Sequence, residues 1–188
     1  MAADVVFITT RVRMTEAAAQ RYLASTRGRA GDFTDWAKVY EYAGWTVPAE
    51  ADDFREESLT CGDAIRALER SSTAYRDGAL CMLLETNVED VERSPWTLAM
   101  ARHLADFKDA DGTDTILVHT DPDGRDCTYE ELRVVFRVTK GASNAHPPAT
   151  LPRREWKSLN LSFDFVTRMA FGDDVVDDDD DLVRAPRG

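Results

Sequence analysis

The segment HTDPDGRDCTYEE, His119 to Glu131, gathers three aspartates and two glutamates around a Pro-Asp-Gly, and carboxylates so spaced could hold a hard cation such as calcium. An EF-hand loop takes oxygen ligands at positions 1, 3, 5 and 12 and glycine at position 6. Counted from Asp121, the glycine falls at position 4, Arg125 stands at position 5 and Leu132 at position 12. The ligand pattern is not met. The same residues do match a turn: Pro-Asp-Gly between two β-rich runs predicts a hairpin loop, with the glycine taking the positive φ. KDADGTD, residues 108–114, reads likewise as a helix-to-strand turn.

Nucleophilic catalysis requires a cysteine or serine, a base and a group that orients the base. Cys61 is predicted at a helix N-terminus, where the dipole lowers a thiol pKa, and His103, His119 and His146 are the available bases. No GxSxG accompanies them. The three histidines form no HExxH, and neither GxGxxG nor GxxxxGK[ST] occurs. The sequence therefore predicts no catalytic residue, no metal site and no cofactor. The three cysteines, Cys61, Cys81 and Cys127, form no CxxC and read as reduced thiols.

The elements that must position these residues are mixed. DVVFITTRVR (4–13), GALCMLLET (78–86), TILVHT (115–120), LRVVFRV (132–138) and SLNLSFDFV (158–166) read as strands. Helices are predicted after Thr15, after an Asp32/Asp35 capping pattern, after Thr60 with Asp63, and from Ser94-Pro95 to about Lys108. The second of these carries Phe33, Trp36, Tyr40 and Ala43 on one face and stops at Gly44. Residues 46–58 and 141–154 read as loops. Alternating strands that follow one another late in the chain point to an α+β fold. The expectation is a mainly antiparallel sheet of about five strands with helices on one face. A single domain is expected over 1–172, with a disordered acidic tail at 173–188.

Charge layout carries the functional expectation. The 188-residue chain has a formal net charge of −12. Residues 1–31 hold five Arg against Asp4 and Glu16, whereas 32–131 hold 24 acidic against nine basic residues. Residues 132–172 return to seven basic against two acidic, and the tail holds seven Asp against two Arg. Such a balance disfavours nucleic acid and anionic membrane as direct partners and favours a basic protein. MAADVVFITTRVR interrupts its apolar run with two arginines, so no secretory signal is read and a cytoplasmic location is expected.

Within 31–57, aromatic side chains interleave with carboxylates, as at charged protein interfaces. The expected partner-binding residues are Asp35, Glu41, Tyr42, Trp45, Asp52, Asp53, Glu56 and Glu57. The expected role is an immunity protein or inhibitor that blocks the substrate-binding face of a basic toxin or nuclease-like partner. An enzyme without a recognisable motif, or a phage or secretion-system structural component, are the alternatives.

Seven aspartates within 173–181 offer too little apolar surface to offset the entropy of ordering. Deleting residues 177–188 is therefore expected to leave the thermal midpoint at physiological salt unchanged. A fall of more than ~4 °C, on the order of 1 kcal/mol or more at this chain length, would place the tail inside the folded unit.

Overall fold

The computed structural model describes residues 4–26, 30–48, 59–121 and 128–159. Its centre is β1 (Val5–Arg13), whose β-branched run pairs antiparallel on both sides. Around it lie β2 (Ser72–Arg76), β3 (Ala79–Asn87), β4 (Asp114–Asp121), β5 (Leu132–Thr139) and β6 (Ala142–His146), in the order β2-β3-β1-β4-β5-β6. Every pairing is antiparallel. The α+β class and the antiparallel sheet are as expected, with six strands where about five were read.

Two strands escaped the sequence reading. β2 is a short edge strand without apolar alternation, and its partner signal is Asp77-Gly78. Both residues have positive φ, 51° and 71°, as a two-residue type I′ hairpin turn requires. β6 lies in the stretch read as a linker; Gly141, at φ 71°, turns the chain so that Ala142 pairs with Thr139. Conversely, residues 153–159 are helical, so Ser158 and Leu159 do not open the expected strand. The rest of that segment, 160–166, lies outside the described residues, as do the Pro-Asp-Gly turn and the acidic tail.

Helices α1 (Glu16–Ala24), α2 (Trp36–Ala43), α3 (Cys61–Ala67), α4 (Val88–Arg93), α5 (Trp96–Arg102) and α6 (Leu104–Phe107) pack over one face of the sheet. Thr15 and Thr60 cap α1 and α3 through their side chains, accepting from the Ala18 and Asp63 amides as expected. The Asp32 capping pattern does not form. Ala30–Asp32 is a 3-10 turn and α2 begins only at Trp36, because Asp35 turns its carboxylate elsewhere. The helix expected from Pro95 to Lys108 divides at His103, and α4 precedes it, capped by Asn87. The main core joins Val6, Ile8 and Val12 of β1 to α1, α2, α5 and the even face of β5.

The opposite face carries a smaller apolar cluster. Phe7, Leu83, Leu117 and Val135 are covered there by Leu151, Trp156 and Leu159. His119 projects into this cluster and is fully buried; the Trp156 indole donates to its Nε2 at 3.3 Å.

The acidic turn 108–114 holds the sheet to α1, as a turn should, and its carboxylates have internal partners. Asp109 accepts from the Thr15 amide at 2.8 Å and from its hydroxyl at 2.5 Å. Asp114 accepts from the Arg13 amide at 3.0 Å, from Arg13 Nε at 2.6 Å and from the buried Lys108 ammonium. Asp111 meets Lys140 at 2.7 Å.

Burial, followed by the Arg133 charge, pushes the His119 pKa down to about 3 from an ordinary value near 6.5. The unfolded chain therefore binds the extra proton between those two values. The stability tied to neutral His119 is intact above pH ~6.5 and is lost as pH falls toward ~3. Between pH 7 and pH 5 the loss should be about 2 kcal/mol, read from urea unfolding. His119→Gln keeps an acceptor for Trp156 and should remove that part of the pH dependence. Equal pH slopes in the two proteins would refute the assignment.

Candidate functional site

Of the expected interface residues, Glu41, Tyr42 and Trp45 sit where α2 ends. Gly44 takes the left-handed conformation at φ 72° and closes a Schellman motif. The Trp45 amide donates to the Tyr40 carbonyl at 3.0 Å and the Gly44 amide to Glu41 at 3.2 Å. The hydrophobic contact that goes with this motif is present: the Tyr40 and Trp45 rings meet edge to face, centroids 6.2 Å apart. Trp45 and Tyr42 are thus half-buried against the main core rather than free on the surface.

Beyond Trp45 the chain is tied to α4. The Thr46 amide donates to Glu92 Oε1 at 2.7 Å, and the Tyr40 hydroxyl donates to the Val91 carbonyl at 2.5 Å. Burial, with the Glu92 charge added, raises the Tyr40 pKa well above its ordinary value, so the hydroxyl remains a donor. The result is an exposed ledge on which Val47 keeps 50% of its surface in water, beside exposed Glu41 and half-exposed Glu92. Asp52, Asp53, Glu56 and Glu57 lie outside the described residues. Sequence reasoning did not select Val47 or Glu92. Val47 stands alone in a polar run, and Glu92 comes from an element 45 residues away.

Asp35 has a different place from Glu41, Tyr42 and Trp45. Its carboxylate grips Arg102 with two hydrogen bonds, 2.7 and 3.1 Å, and accepts from the Ala145 amide at 3.3 Å. Arg102 is 2% exposed and its guanidinium lies over the rings of Phe33, Phe136 and Trp36 at 4.0, 4.8 and 5.0 Å. Its Nη2 also donates to the Ser143 carbonyl at 2.6 Å. Burial alone would raise the Asp35 pKa. The hydrogen bond and charge of Arg102, with the Ala145 amide, outweigh burial and hold it below the ordinary value. Asp35 serves the fold. The signal for this pair was a single arginine inside an otherwise apolar helix, WTLAMARHLADF.

The catalytic ingredients are not assembled into one site. Cys61 is fully buried at the start of α3, with Ser25 Oγ at 3.6 Å and the Thr26 carbonyl at 3.8 Å. His119 lies on the other side of the sheet. His103 sits between the Tyr22 and Phe107 rings and meets Asp106 at 2.8 Å. His146 ends β6. Among the described residues no three His, Cys, Asp or Glu side chains are grouped to hold a metal. Both glutamates of the 119–131 segment have structural partners: Glu131 completes a capping box with Thr128, and Glu130 pairs with Arg153 at 2.5 Å. Among the described residues no helix is long and apolar enough to cross a membrane. No family model, curated protein or solved structure matches the chain.

Asp35→Ala leaves the buried Arg102 cation without its carboxylate and is expected to cost about 3 kcal/mol in urea unfolding. That is the low end for a broken buried pair, because the Asp35 side chain is 26% exposed. Asp35→Ala combined with Arg102→Met should cost less than Asp35→Ala alone. A single substitution that costs under ~1 kcal/mol would mean that Asp35 is not needed to neutralise Arg102.

Proposed function

We propose that the protein is a small acidic binding protein that occupies the substrate-binding face of a basic partner, as an immunity protein or inhibitor does. The ledge after α2 supports this reading. It offers one exposed apolar side chain, Val47, next to half-buried Trp45 and Tyr42. It is flanked by Glu41 and Glu92 within a stretch holding 24 acidic against nine basic residues. An apolar contact ringed by like charge suits a partner whose own surface carries arginine and lysine.

Function follows from the field. A negative surface raises the encounter rate with a cationic partner, and its carboxylates stand where that partner would receive phosphates or other anions. Desolvation of the Val47–Trp45 ledge then slows dissociation. Rate and residence are thereby carried by different residues.

Affinity capture with mass spectrometry supplies the partner, and surface plasmon resonance gives the rates. Reversal of Asp52, Asp53, Glu56 and Glu57 to lysine should slow association by roughly tenfold or more at low salt. Wild-type association should itself fall steeply as the Debye length shortens toward about 8 Å. Val47→Asp should instead speed dissociation. A partner whose binding ignores salt and all five substitutions would remove the proposal.

A further inference from the structure

Basic side chains from distant parts of the chain, Arg11 and Arg76 on the one hand and Arg137, Arg154 and Lys157 on the other, lie on the sheet face opposite the helices. Arg11 has the same strand parity as Phe7, pairs in register with Cys81, and lays its guanidinium against that thiol. Arg76 pairs with Ala79, two residues along β3 from Cys81, and is exposed at the edge of the same face. Arg137 pairs with Thr115 and donates to its hydroxyl at 2.8 Å. The helical segment 153–159, which rests on this face through Trp156 and Leu159, adds exposed Arg154 and Lys157. Carboxylates on this side meet part of that charge: Glu155 is bonded to Arg137, Glu85 meets Arg70, Glu130 pairs with Arg153, and Asp77 lies near Cys81. An exposed basic field thus occupies one face of a protein whose net charge is −12.

We propose that the acidic segment 173–181 of the same chain docks on this basic face. The described chain ends at Leu159, on that face, and 160–172 separates it from Asp173. Such a connection reaches roughly 45–50 Å when extended. Six strands spaced about 4.8 Å apart make a face on the order of 25 Å wide, so the segment can reach all of it. Tethering gives an effective concentration in the millimolar range for a flexible link of suitable length. Seven aspartates opposite Arg11, Arg76, Arg137, Arg154 and Lys157 complement the field. These pairs are solvent-exposed, so they contribute little to global stability and are screened by salt. Docking requires no external partner, and it hides this basic surface from other anions.

The test is amide NMR on the full chain and on a full chain with Asp173, Asp174 and Asp177–Asp181 all changed to Asn. At low salt the two spectra should differ at Arg11, Thr115, Arg137, Asn144 and residues 153–159. The differences should vanish in 1 M salt, where the Debye length is ~3 Å. In a background carrying Arg11→Gln, Arg76→Gln, Arg154→Gln and Lys157→Gln, which leaves only the Glu155-paired Arg137 of this field, neutralising the tail should change none of these amides. Differences confined to the tail, clustered on the helical face, or persisting in the quadruple-Gln background would overturn the proposal.

Discussion

The buried guanidinium of Arg102 is the point on which the assembly of this protein turns. It comes from α5, yet its partners belong to four other parts of the chain: Asp35 ahead of α2, Phe33 and Trp36 around it, Phe136 on β5 and Ser143 on β6. A charged group taken out of water must be matched, and here a carboxylate, a carbonyl and aromatic faces do so for the two terminal nitrogens, while Nε is buried without an acceptor among the described residues. Asp35 reaches further, accepting from Ala145 and so fixing β6 against the start of α2. Without this cation the helical layer would have apolar contacts with the sheet but less to set its register.

That constraint explains why α2 begins late. An aspartate at a helix start ordinarily turns its side chain to the first free amides. Asp35 instead meets Arg102, and no side-chain cap forms on α2. The other end of α2 is correspondingly well closed, with the Gly44 conformation and the Tyr40–Trp45 ring contact. Aromatic residues that look available for binding in the sequence are thereby drawn half into the core. What is left in water is the ledge from Glu41 to Val47.

Charge is sorted by face rather than spread. The acidic turn 108–114 gives its carboxylates partners in Thr15, Lys108, Arg13 and Lys140, which offsets part of its charge. Arg11 and Arg137 come to the same far face of the sheet because β1 is central and β5 lies two strands away. Around α2 and α4, exposed Glu41 and half-exposed Glu92 face water, whereas Glu89 pairs with Arg93.

The β-branched run of β1, the alternation of β5, the apolar run of β3, and the caps at Thr15 and Thr60 were legible, because each is a local property of a few neighbouring residues. Lone edge strands were not. β2 and β6 have little apolar pattern of their own and exist because β3 and β5 offer them a ladder. The alternation read over 158–166 does not extend back into 153–159, where Trp156 and Leu159 are three apart and share a helical face against the smaller apolar cluster. Sequence by itself determined the class of fold, the position of the acid and base, and the residue types near α2. Only tertiary structure decided that Asp35 belongs to Arg102, that Val47 and Glu92 adjoin, and that distant arginines share one face. Those outcomes depend on contacts between segments tens of residues apart, which no local period encodes.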